Sequence, residues 1–301
     1  MNAITANAHT QSGGAAALPT SGTFASSLGP VEYHVAGPES APVLFFVHGL
    51  FTNMQLWRKL VPELSQHYRL AIPTLPFGGH RIPVDQQSDL SPPALAALIF
   101  ELIDGLKLND VTIIANDTGG ALTQIALAEQ SDHPAVARLI LTNCDAFEVF
   151  PPAVFVYLRW IARLPVLPTL LAWQMRLDFV RRLPLALGWL TKHRVPAGVL
   201  DFYTDPFVKN RAVRRNTTKI LRDIRPKYTQ AAARELHRFT KPVLFAWAPE
   251  DRLFPRSLAE RLHAIFPDSR IVDIPDSGCF IAEDQPQALA AEVRKFVPQA
   301  V

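Results

Sequence analysis

The stretch "IIANDTGGALTQIALAEQ", residues 113–130, sets a β-branched run directly against a helical pattern, with one aspartate and two glycines at the junction. A strand that becomes a helix over so tight a turn lifts the side chain at the bend clear of the sheet edge. Neighbours two positions away must then be small to avoid colliding. Ala115 and Gly119 meet that demand around Asp117. A carboxylate placed there sits at the amino end of the next helix, whose free N–H groups and dipole stabilise negative charge. Asp117 is therefore the candidate reactive group. The same residue also suits an ordinary N-cap for a helix over 119–130, with Asn116 and the glycines a plain turn, and the local pattern leaves both readings open.

Outward from this junction, short apolar runs alternate with longer helical periodicities, the rhythm of a mostly parallel sheet covered by helices on both faces. Strands are predicted at 31–36, 43–47, 69–74, 111–115, 137–143, 242–247 and 270–274. Helices are predicted at 91–107, opened by Ser91 and two prolines, and at the amphipathic stretches 257–266 and 288–297. Between Phe147 and Thr240 strand alternation disappears, and the segment reads as a helical insertion over the α/β site. The expected organisation is a flexible tail over 1–22, a core of 23–146 and 241–301, and a helical cap over 147–240.

At 301 residues the chain is long enough for one large domain with an inserted subdomain. With 49% apolar and 19% charged residues it falls in the globular class, and a net charge of +3 is too small to argue for nucleic acid. A cluster of Arg211, Arg214, Arg215, Lys219 and Arg222 reads as a solvated helix face. No window is long and apolar enough to span a bilayer, so no membrane partner is expected. Residues 1–22 have neither a basic start nor a continuous apolar run, so no signal peptide is read there. Two distant cysteines, Cys144 and Cys279, form no disulfide framework and fit a cytoplasmic protein. No phosphate-binding loop and no metal-ligand spacing is found, so neither cofactor nor metal is expected.

Two further stretches converge on the same sheet edge. In "VLFFVHGLFTNMQLWRKLVPEL", residues 43–64, a strand ends at His48-Gly49, and the glycine brings the Leu50 amide close enough to pair with that of Thr118 around developing negative charge. In "PVLFAWAPEDRLFP", residues 242–255, another strand delivers Asp251. The order of His-Gly turn, nucleophile elbow, helical insertion and strand-then-Asp resembles the α/β-hydrolase fold. With Asp at the elbow it is similar to the haloalkane dehalogenase and epoxide hydrolase branch, over residues 22–299. The resemblance implies that Asp117 attacks carbon to give an ester, that Asp251 is the acid orienting a histidine base, and that His48 is structural.

The sequence departs from that pattern in "IPDSGCFIAEDQP", residues 274–286, where Cys279 stands in the place of the base histidine. A thiol with an ordinary pKa near ~8.5 is a poor general base at neutral pH. Cys279 reads as an apolar filler. His80, in the loop after 69–74, is the candidate substitute base, against the reading of a solvent-facing loop histidine. Thr118 and Leu50 lack the halide-gripping side chains that the resemblance implies, which disfavours chloroalkanes. Tyr157 and Tyr203 are candidate proton donors from the insertion or packing residues, while Asp145 is an alternative acid that reads more readily as a turn residue. The expected function is hydrolase-like chemistry by Asp117 on a small apolar substrate such as an epoxide, a haloalkane or haloacid, or an ester. The alternatives are a lyase or isomerase using Asp117 as acid/base, and a ligand-binding member without catalysis.

Overall fold

Parallel strands covered on both faces should be apolar along their whole length, and β3 (Val43–Val47) and β5 (Val111–Asp117) have every residue buried. The computed structural model describes residues 16–299. These two strands join β1 (Gly22–Ser26), β2 (Gly29–Ala36), β4 (Arg69–Pro73), β6 (Val136–Cys144), β7 (Val243–Trp247) and β8 (Ser269–Asp273) in one sheet. Its order is β1-β2-β4-β3-β5-β6-β7-β8. The pairs β1–β2 and β2–β4 are antiparallel and the other five parallel. All seven expected strands are present. β1, the addition, alternates half-buried and exposed residues and carries no apolar run that would announce it.

The chain enters β3, leaves it for β4 on one side and returns to β5 on the other, so the strand order reverses between β3 and β5. Ligand crevices in open parallel sheets form at that point, outside the carboxyl ends of the strands. Helices α1 (Val61–Leu64), α2 (Pro92–Gly105) and α3 (Thr118–Glu129) belong to this half of the sheet. In α2, two prolines occupy the first turn, where their missing N–H groups cost nothing. Helix α3 is buried at every position from Thr118 to Leu127, which explains why it shows apolar residues all round instead of a stripe.

Every named element between β6 and β7 is helical: α4 (Tyr157–Ile161), α5 (Leu167–Gln174), α6 (Asp178–Arg181), α7 (Ala197–Lys209), α8 (Arg211–Asp223) and α9 (Pro226–Ala233), with short 3₁₀ turns. After β7 come α10 (Arg256–His263), α11 (Ile281–Asp284) and α12 (Pro286–Phe296). Residues 1–15 of the expected tail lie outside the described residues. Leu18, inside that expected tail, is buried, and its backbone N–H and C=O both bond the Gln55 side-chain amide at 2.8 Å. The fixed chain therefore begins earlier than composition suggested, because one apolar side chain and one amide pair hold it down.

Candidate active site

Asp117 ends β5 with φ 53° and ψ −133°, a left-handed backbone that a non-glycine residue adopts only when its surroundings enforce it. The enforcement is visible at two glycines. A Cβ on Gly119 would lie 2.4 Å from the His48 carbonyl oxygen, and one on Gly49 would lie 2.1 Å from Asp117 Oδ2. The Asp117 side chain makes no capping bond to α3, which rules out the ordinary N-cap. Its Oδ2 accepts from the Leu50 N–H at 3.1 Å, and the Thr118 amide also favours its charged form. The two amides expected to stabilise a developing anion thus act on the Asp117 carboxylate itself. Burial raises its pKa to about 6, while those two amides pull the other way.

Further carboxyl groups gather behind it. Asp145, which sequence assigned to a turn, is fully buried just beyond the end of β6 and accepts from the Thr118 hydroxyl at 3.3 Å. Burial, followed by repulsion from Asp117, holds its carboxyl protonated well above the usual range. Asp251 follows β7; its Oδ1 accepts from the Leu253 N–H at 2.9 Å, and its Oδ2 is buried without a partner. Burial is the main cause that raises its pKa to about 7. Cys279 lies wholly buried, with its thiol donating to the Asn143 carbonyl at 3.6 Å. Burial first, and then the surrounding carboxylates, push the thiol well above its ordinary pKa, which matches a packed, protonated filler.

Two asparagines assemble this cluster: Asn116, read from the sequence only as part of a turn, and Asn143, which that reading passed over. Asn116 Nδ2 donates to Thr142 Oγ1 at 2.9 Å, to the Asn143 carbonyl at 3.0 Å and to the Cys279 carbonyl at 2.8 Å. Asn143 exchanges bonds with the backbone of Ala248 and donates to Phe254, fixing the loop that carries Asp251. Their signal in the sequence was a polar amide at the end of an otherwise apolar strand, where a buried amide must find partners.

The substitute bases are elsewhere. His80 is buried, not solvent-facing: its Nδ1 accepts from the Gly78 N–H at 3.2 Å and its Nε2 faces Asn216 Oδ1 at 3.5 Å. Burial lowers its pKa to about 4. It makes no bond to Asp117, and the expectation of a base at this position is corrected. His48 is structural, accepting from the Leu75 N–H at 2.9 Å. Tyr203 is consumed by a buried network in which its hydroxyl donates to Glu283, itself paired with Arg58, and it is removed as a proton donor. Tyr157 lines the cavity, but its hydroxyl donates to the Leu185 carbonyl.

In front of Asp117 lies a partly enclosed cavity of about 70 Å³. Leu50, Phe51, Thr118, Leu158, Leu187 and Phe207 are among the residues that line it, and Asp117 is its one carboxylate. The lining is largely apolar, with Asp117 and the Arg159 side chain as its charged groups.

Comparison with known proteins agrees with this architecture. The Alpha/beta hydrolase family matches residues 44–292. The chain belongs to this family. It is 29% identical over 283 residues to Haloalkane dehalogenase 2 of Mycobacterium tuberculosis, covering 90% of this chain and 92% of that protein. It is 25% identical over 287 residues to the cis-3-alkyl-4-alkyloxetan-2-one decarboxylase of Xanthomonas campestris pv. campestris, with coverages of 89% and 92%. The crystal structure of an alpha/beta hydrolase fold protein from Burkholderia ambifaria superposes with a TM-score of 0.76 at 22% identity, over 94% of this chain and all of that one.

Proposed function

We propose that this alpha/beta hydrolase family member is an enzyme whose Asp117 carboxylate attacks an electrophilic carbon of a small, uncharged, apolar substrate, beneath a cap formed by residues 147–240. The observation that carries this reading is the Asp117 carboxylate itself, forced outward at φ 53°, held by the Leu50 amide and facing a largely apolar cavity. Attack forms an ester between Asp117 and the substrate carbon and breaks the bond to the leaving oxygen or halogen, which departs with the electron pair. The Leu50 amide, which bonds Asp117 Oδ2 at rest, and the Thr118 amide, which favours the charged carboxylate, lie close to where charge moves.

Release of the ester separates two versions of the proposal. Hydrolysis needs a base on water, and position 279 supplies a protonated thiol in place of an imidazole. A water-free ending needs none. In a four-membered lactone, attack at the ring carbon bearing oxygen frees a carboxylate; loss of carbon dioxide then passes its electron pair into a new C=C bond and expels the Asp117 carboxylate intact. The named activity of the Xanthomonas relative and the thiol at 279 both favour this second reading.

The test is turnover of a panel of short-chain epoxides, bromoalkanes, esters and 3,4-dialkyl β-lactones by the wild type and Asp117→Asn, with products analysed in ¹⁸O-water. Loss of all turnover in Asp117→Asn supports the proposal. An alkene formed with carbon dioxide and without any labelled alcohol identifies the water-free ending, and a labelled alcohol identifies hydrolysis. Equal turnover by the variant refutes both.

A further inference from the structure

Among the described residues, ten large apolar side chains are exposed, and all lie between Trp160 and Phe202. Single exposed hydrophobes are unremarkable, but a concentration of them marks a surface that something covers. Trp160, Val166, Trp173 and Phe179 each keep 60% or more of their area open, on α4, α5, α6 and the links between them. The surface is continuous with the cavity: Leu185 is 56% exposed and also lines the hollow before Asp117.

The rim of this surface is cationic. An open groove runs between Pro165, Pro168 and Thr169 on one side and Arg211, Arg215 and Lys219 of α8 on the other. From Val149 to Leu177 the chain contains no Asp or Glu, and α8 contains none before Asp223. Ion pairs among the described residues involve Arg181, Arg182 and Arg225 nearby, but not Arg163, Arg176 or the α8 cations before Asp223. The Arg163 guanidinium sits 4.7 Å from the Trp160 ring centre, so charge and aromatic surface are presented together.

We propose that this face docks on the surface of an anionic lipid bilayer, placing the cavity mouth against the membrane so that apolar substrates enter from the lipid. An aromatic and aliphatic patch edged by unpaired Arg and Lys meets both halves of such a surface, the apolar interior and the negative headgroups, and the two signals together give stable attachment where either alone is marginal. A second copy of the chain matches it poorly, because it brings the same cationic rim to the contact, while the patch's own Asp178 and Asp201 are already paired with Arg181 and Arg182. Among the described residues no helix is long and apolar enough to cross a membrane. This replaces the sequence-based expectation of no membrane partner.

The experiment is flotation of the full chain with vesicles of phosphatidylcholine, with and without phosphatidylglycerol, at low and high salt and without substrate, which makes it independent of the chemistry at Asp117. The wild type is expected to float with phosphatidylglycerol-containing vesicles, less so at high salt. Trp160→Ser/Trp173→Ser and Arg211→Gln/Arg215→Gln, with unchanged Tm, should each lower partitioning about tenfold or more. Absence of flotation with the anionic vesicles overturns the proposal, as does flotation that neither variant weakens. So does a wild-type dimer that the tryptophan variant converts to monomer, which would assign the patch to a second copy.

Discussion

At Asp117 the backbone and the side chain answer one another: the strained turn aims the carboxylate at the cavity, and the cavity's apolar walls raise its pKa to about 6. Attack requires the ionised form, so the rate should rise with pH through about 6 and level above it, measured as single-turnover kinetics between pH 4.5 and 8. Cys279 supports a second expectation. Asp251, whose charge is felt at Cys279, has a buried oxygen without a partner among the described residues. Cys279→His should speed ester hydrolysis by about a hundredfold or more, read as ¹⁸O incorporation, if the core admits the larger ring without loss of Tm. The meeting of Asp117, Leu50 and Thr118 at one turn was legible in the sequence because it follows from local turn geometry. The bonds made by Asp145, Asn116 and Asn143 were not, since they depend on β5, β6 and β7 being neighbours. His80 misled for the same reason: its loop leaves the correct edge, but its ring turns toward Asn216 in α8.

Among the elements, the sheet was readable because continuous apolar runs between helices have few other solutions, and strand ends fell within a residue or two of expectation. The segment between β6 and β7 was readable only as helical, because its prolines and scattered arginines do not disclose how it is anchored. The anchor is the buried pair of Arg58 and Glu283, joined by Tyr203 of α7. Desolvated charges leave a heavy penalty when one partner is lost. Glu283→Gln should therefore cost about 3 kcal/mol in urea unfolding, and Tyr203→Phe about 1 kcal/mol. If Glu283→Gln costs no more than an exposed substitution, the pair does not fasten the helical segment.

For the whole molecule, the burial that makes the site also sets its pH response. The Asp117, Asp145 and Asp251 pKa values are all raised on folding, so the native state holds protons that the unfolded chain releases. Stability from these groups is fully present below the unfolded carboxylate range near 4 and is lost as pH rises through about 6 and 7. Asp251→Asn, which cannot ionise, should be more stable than wild type by about 2 kcal/mol at pH 9 and show little gain at pH 4, by urea unfolding at both. A gain that is the same at both pH values would contradict the raised pKa. The central claim is that Asp117 forms a covalent bond to substrate. Acid-quenched single turnovers with a short-chain epoxide or a dialkyl β-lactone, followed by digestion and mass spectrometry, test it most directly. The account predicts a substrate-mass adduct on the Asp117 peptide, absent in Asp117→Asn; substrate consumption with no adduct at any quench time would contradict it.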